Sequence, residues 1–250
     1  MCADFNFTFN PYGVFAAIAS SLALLMLYLR IKKFSLPFSD FLWMFGVCAV
    51  TGVIGSRGVF VISRLPWLID NFSAEKLLKT VFMGGFVFYG GLLGILIGAL
   101  IYSKIRHLDL LNIYNFAAPA IPLFHAVGRV GCLLEGCCYG VKLAEPVTLL
   151  GFWTIDRVPT QLIEVVFELG MVALVLILER VRPPKNSLRI YMISYAVFRF
   201  VLEFYRGDEI RGRFFGVTTS QIISVAIILY YIVRGVITLI KRKRAEFSER

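Results

Sequence analysis

Residues 113–140 read IYNFAAPAIPLFHAVGRVGCLLEGCCYG. Up to Leu134 this run is long enough to cross a bilayer, since roughly 20 largely apolar residues span about 30 Å of hydrocarbon. Inside it lie Pro119, Pro122, His125 and Arg129. An arginine at mid-helix costs roughly 2.5 to 3.5 kcal/mol even on lenient insertion scales, so a lipid-solvated helix carries one only where it is paired or functional. His125 and Arg129 share a helix face at i, i+4, Cys132 follows one turn on, and glycines then break the helix.

Six further stretches have membrane length: about 13–30, 38–62, 81–102, 159–178, 190–205 and 217–239. The chain is therefore expected to be an all-α integral membrane protein with about seven transmembrane helices. Composition agrees: 58% of the 250 residues are hydrophobic and mean hydropathy is +0.78, against about 45–50% apolar residues in soluble domains.

The formal net charge is +10. In a soluble protein such a balance suggests nucleic acid, but these charges sit mostly between apolar blocks. Arg30, Lys32 and Lys33 follow the first span, Lys104 and Arg106 the third, Arg180, Arg182, Lys185 and Arg189 the fifth, and Lys241 to Arg244 the last. Loops on the opposite side mix signs. By the positive-inside rule the N-terminus is outside and the C-terminus cytoplasmic, which an odd number of spans fits. The expected location is a bacterial inner membrane, multi-pass, with no nucleic-acid partner. Residues 1–11 lack a basic n-region, so the first helix is expected to be the targeting signal. No internal repeat is evident, and 1–250 reads as a single transmembrane domain with external segments at about 63–80 and 135–158.

Three arginines lie at depth: Arg57, Arg129 and Arg199. One alone is readily explained by a carboxylate partner or by snorkelling. Three on different spans suggest convergence on an anion, because a guanidinium holds phosphate bidentately. Tyr195, Arg199, Glu203 and Arg206, spaced four, four and three, line one helix face, where Arg199 and Glu203 can pair. Gly91, Gly94 and Gly98 permit close helix packing.

The five cysteines, Cys2, Cys48, Cys132, Cys137 and Cys138, do not form a secreted disulfide pattern. The last three could fill space, form a redox pair, supply a nucleophile activated by Arg129, or bind a soft metal. Their spacing is not a standard zinc pattern, so no metal and no cofactor is expected.

These motifs together resemble the prolipoprotein diacylglyceryl transferase family. Residues 52–57 (GVIGSR) are similar to its glycine-and-arginine motif, and 84–94 (GGFVFYGGLLG) to its Gly-Gly…His-Gly-Gly-Leu-x-Gly motif. Residues 119–140 resemble its Gly-Arg-x-Gly-Asn…Asn-Gly-Glu signature. Residues 159–164 (PTQLIE) look like its Pro-x-Gln-Leu-Tyr-Glu segment, and Tyr195, Arg199, Glu203 and Arg206 match its Tyr-x3-Arg-x3-Glu-x2-Arg stripe.

The resemblance implies transfer of the diacylglyceryl group of phosphatidylglycerol to the lipobox cysteine thiol of a prolipoprotein, with release of glycerol phosphate. It implies that Arg129 and Arg199 hold the lipid phosphate, supported by Tyr195, Glu203 and Arg206, with Arg57 positioning nearby. The sequence departs at the family's histidine, where Tyr89 stands, and at two asparagines and a glutamate, replaced by Cys132, Glu135 and Cys137. Tyrosine, with a pKa of about 10, is a poorer base for a thiol. The expected catalytic set is therefore Arg129, Arg199, Tyr89, His125 and Cys137, with His125 a substitute base. The substrate-binding set is Arg57, Tyr195, Glu203, Arg206, Cys132, Glu135 and Cys138. Two alternatives stay open: a related lipid-dependent transferase with another acceptor that uses the clustered cysteines, and a non-enzymatic lipid-binding or transport protein.

Overall fold

Apolar runs of membrane length fold as helices because lipid offers backbone groups no other partner. The computed structural model describes residues 11–83, 88–149, 153–181, 186–207, 213–214 and 217–248. In chain order its helices are α1 (Pro11–Arg30), α2 (Phe38–Asp70), α3 (Ala74–Met83), α4 (Phe88–Ile105), α5 (Leu110–Ala117), α6 (Ala120–Leu134), α7 (Thr160–Val181), α8 (Ser187–Leu202) and α9 (Thr219–Ser248). Among the described residues, five segments are long and apolar enough to cross a membrane: Tyr12–Arg30, Phe38–Ile62, Leu110–Leu134, Thr160–Val181 and Ser220–Lys241. Gly90–Ile105 is apolar but shorter, and α8 has 16 residues. This is a helical, multi-pass membrane protein.

Its surface is inverted relative to a soluble protein. Trp43, Ile54, Leu29 and Ile177 are exposed, whereas Glu164, Glu168, Arg199 and Asp40 are buried. Lipid solvates the former, and only internal partners can hold the latter.

Several boundaries differ from the sequence reading. Helix α2 continues to Asp70 and α3 follows, so 63–80 is mostly helical. The run 113–134 is divided between α5 and α6 at Pro119, which has no N–H for the helix ladder. The polar segment 135–158 contains an antiparallel hairpin, β1 (Lys142–Leu149) and β2 (Trp153–Arg157), with Thr148 opposite Thr154. A second short ladder pairs β3 (Arg213–Phe214) with β4 (Val217–Thr218).

The chain divides into two compact units. Residues 28–116 form one. There α2 and α4 pack through glycines: a Cβ on Gly55 would strike the Gly90 carbonyl oxygen, and one on Gly94 the Thr51 carbonyl oxygen. Backbones this close allow dense packing without a hydrophobic driving force. Arg30 donates to the Phe116 and Asn115 carbonyls at 2.9 and 3.1 Å. Asp40 accepts from Tyr102 at 2.7 Å and from Arg106 at 2.9 Å. The other unit, residues 1–27 and 117–250, contains α6 to α9 and the hairpin.

Candidate active site

His125, Arg129 and Cys132 fall on one face of α6, as their i, i+4, i+7 spacing requires. Gln161, Glu164 and Glu168 share a face of α7 in the same way, and Tyr191, Tyr195 and Arg199 a face of α8. A 3-10 turn, Glu203–Tyr205, then ends α8 and leads to Arg206.

Glu164, 0% exposed, is the common partner of these three faces. Arg129 grips its carboxylate side-on, with Nε 2.8 Å from Oε2 and Nη2 donating to Oε1 at 3.1 Å. Arg199 Nη1 lies 4.0 Å from Oε1 and Arg206 Nη1 3.9 Å from Oε2. Tyr195 donates to Oε1 at 3.5 Å. The expected Arg199–Glu203 pair forms, at 2.8 Å, and Ser220 of α9 accepts from the same Nη2 at 3.3 Å. Arg199 Nη1 is buried and makes no hydrogen bond among the described residues.

His125 sits between two carboxylates. Its Nδ1 is 2.7 Å from Glu168 Oε1, and Nε2 is 3.7 Å from Glu164 Oε1 while accepting from Arg129 Nε at 3.3 Å. Glu168 Oε1 also accepts from Tyr191 at 3.4 Å. The imidazole packs edge-to-face on Tyr195, 5.3 Å between centroids. With Nδ1–H given to Glu168, Nε2 carries the lone pair.

The charges of the cluster balance internally. Three guanidiniums meet the carboxylates of Glu164 and Glu203, and His125 with Glu168 forms its own pair. With His125 neutral, as the lone pair on Nε2 requires, Glu168 supplies a third negative charge against the three guanidiniums, in a place where uncompensated charge is expensive.

The three clustered thiols adjoin this group. After α6, Gly136 (φ 69°) and Cys138 (φ 61°) adopt left-handed backbone, which glycine takes freely and cysteine does not. The turn is clamped from α7: Gln161 donates to the Cys137 carbonyl at 2.6 Å and Thr160 to the Cys138 carbonyl at 2.9 Å. The sulfurs of Cys132, Cys137 and Cys138 lie within 4.8 Å of one another, and Arg129 Nη1 is 4.0 Å from Cys132 Sγ. A hydrogen bond from Cys132, with the guanidiniums of Arg129 and Arg206, pulls the Cys138 thiol down to about 4 against the opposing effect of burial. Burial pushes the Cys137 thiol up.

Of the residues singled out from sequence, Arg129, Arg199, His125, Tyr195, Glu203 and Arg206 come together at or beside Glu164, with Cys132, Cys137 and Cys138 adjoining. Glu135 does not join them: it is the exposed C-cap of α6, its N–H donating to the Gly131 carbonyl. Arg57, half-buried on α2, and Tyr89, in the first turn of α4, belong to the other unit. The Tyr89 side chain lies outside the described residues. Sequence reasoning met Gln161 and Glu164 only within the family-like segment 159–164, without a site role, and passed over Glu168 and Tyr191. The signal was present, because two carboxylates on one face of an apolar helix are as improbable in lipid as the arginines that answer them.

The sequence profile of the prolipoprotein diacylglyceryl transferase family matches residues 2–237. A phosphatidylglycerol–prolipoprotein diacylglyceryl transferase of Clostridium tetani is 29% identical over 232 residues, 90% of this chain and 91% of its own length. One from Dehalococcoides mccartyi is 27% identical over 246 residues, 94% of this chain and 91% of its own. One from Methylococcus capsulatus is 31% identical over 189 residues, 70% of this chain and 72% of its own. With its buried arginine–glutamate cluster and a profile match over nearly its whole length, the chain belongs to the prolipoprotein diacylglyceryl transferase family.

Proposed function

We propose that the protein transfers the diacylglyceryl group of phosphatidylglycerol to the lipobox cysteine thiol of a prolipoprotein. The observation that carries this reading is the convergence of Arg129, Arg199 and Arg206 on Glu164, with Arg199 Nη1 buried and making no hydrogen bond among the described residues. A phosphodiester supplies one negative charge and several acceptor oxygens, which guanidinium forks fit well.

Arg129, Arg199 and Arg206 hold the donor phosphate and stabilise the charge that grows on it as glycerol phosphate departs. Glu164 and Glu203 orient the guanidiniums. His125, its Nδ1 held by Glu168, accepts the acceptor's thiol proton at Nε2 and so takes over from the family histidine that Tyr89 replaces. The chain crosses a bacterial inner membrane seven times, N-terminus outside and C-terminus in the cytoplasm, with α4 and α8 as the two short crossings. Reporter fusions at the two termini test that topology.

The deciding experiment follows labelled diacylglyceryl from phosphatidylglycerol to a lipobox-cysteine peptide, using purified protein with Arg199→Ala as control. Arginine-dependent lipidation with glycerol phosphate released is expected. Folded protein that binds phosphatidylglycerol yet lipidates nothing overturns the reading.

A further inference from the structure

We propose that Cys132, Cys137 and Cys138 form a three-thiolate site for a thiophilic divalent cation of the zinc class, whose open fourth position takes the acceptor thiol. The second half of this inference rests on the transfer reading above.

Spacing along the chain gave no reason to expect a metal; convergence in space does. Three thiolates at about 2.3 Å from a tetrahedral zinc ion sit roughly 3.8 Å apart. All three sulfurs here lie within 4.8 Å of one another, so about an ångström of contraction at most forms the site. Cys137 and Cys138 are only half-buried, which sets them apart from thiols that fill a core. Their turn is held in a left-handed conformation at Cys138 and fastened by the Gln161 and Thr160 hydrogen bonds. A disulfide would use two of the sulfurs and leave the third without a role. Three thiolates on a divalent ion carry one net negative charge, which suits the Arg129 guanidinium beside Cys132.

Three protein ligands leave zinc a fourth, exchangeable position, the hallmark of a reactive site. A thiol that binds there is deprotonated outright. Its proton passes to His125 Nε2, which shares the Arg129 guanidinium with the thiol cluster. The metal-held sulfur then attacks the glyceryl carbon. A C–S bond forms, the C–O bond to phosphorus breaks, and its electron pair leaves on the phosphate oxygen held by the arginines. The thioether product is a weak ligand and departs, so no oxidant or reductant is needed.

The test uses full-length protein in detergent, without donor lipid. Metal content is measured by mass spectrometry, and zinc is then replaced by cobalt. About one zinc per chain is expected, retained tenfold less or worse by Cys138→Ser and Cys137→Ser of unchanged gel-filtration profile. A lipobox-cysteine peptide should raise the thiolate-to-cobalt charge-transfer band by about a third, as a fourth Co–S bond joins three. The same peptide with serine should leave it unchanged. Free, metal-less thiols or a native disulfide overturn the site. A bound metal whose spectrum ignores the cysteine peptide overturns its role toward the acceptor. If the serine variants do not fold, the wild-type cobalt spectrum decides. A protein that binds metal and peptide thiol but lipidates nothing refutes the transfer reading while leaving the site intact.

Discussion

Glu164→Gln keeps the shape of the side chain and removes the charge on which three guanidiniums depend. In the wild-type protein Arg129 is bound side-on to this carboxylate, and Arg199 and Arg206 lie within 4.0 Å of it. Glu164 is fully buried, so water cannot make good the loss. Removing one partner of a buried ion pair costs roughly 3–5 kcal/mol. At about 2–4 °C per kcal/mol for a chain of this size, the melting temperature in detergent should fall by roughly 6–20 °C. The three guanidiniums would then face only Glu203 and, beyond His125, Glu168. Added phosphatidylglycerol should therefore raise the melting temperature of the variant more than that of the wild type, since an anion now replaces a missing carboxylate as well as filling its own place. Displacement of Arg129 by even an ångström should lower transfer by about 100-fold. A variant that melts within about 2 °C of wild type, with equal response to lipid, would refute the assignment of Glu164 as the centre of the cluster.

Three further outcomes follow from the geometry. Arg199→Lys loses the fork that reaches Glu203, Ser220 and the donor together, and kcat/KM for transfer should drop roughly 100- to 1,000-fold. His125→Ala and Glu168→Ala should each slow transfer and combine with far less than additive effect, because the carboxylate acts through the imidazole; a double-mutant cycle should return a coupling of about 0.5–3 kcal/mol. Gly94→Val drives a side chain into the Thr51 carbonyl and should destabilise α2 against α4 by roughly 1–3 kcal/mol or more. Gly91→Ala, whose Cβ meets nothing nearer than 3.6 Å, should change the melting temperature little.

Much of the site was legible because charge in lipid is improbable. Arg129, Arg199 and His125 stood out against apolar neighbours, and helical spacing placed Tyr195, Glu203 and Arg206 beside them. The glycine face of α4 was legible for a similar reason, as repeated small residues serve close packing. Glu164 and Glu168 were harder, since the apolar run 159–178 hid two acids whose partners sit on other helices. The hairpin of β1 and β2 escaped because the polar segment 135–158 carries no strong alternation, and pairing across a turn is a long-range property. Likewise, the three thiols stood out as a cluster in the sequence, but their uneven spacing did not show that the left-handed turn at Cys138 folds them together.

The departures from the family pattern are not scattered. The arginines of the family pattern are all matched, by Arg129, Arg199 and Arg206, and Glu164, which they converge on, matches the glutamate of its Pro-x-Gln-Leu-Tyr-Glu segment. Substitution falls instead on Tyr89, Cys132, Glu135 and Cys137. Two of these four became thiols that now lie within 4.8 Å of each other and of Cys138. On the proposed reading, the loss of the family histidine and the thiol cluster answer one chemical need, because a thiol must shed its proton before it attacks carbon. A histidine can take that proton directly, whereas a metal achieves the same end by making the thiol acidic. On the proposed reading, the donor half of the site keeps its electrostatics while the acceptor half exchanges one way of making a thiolate for another.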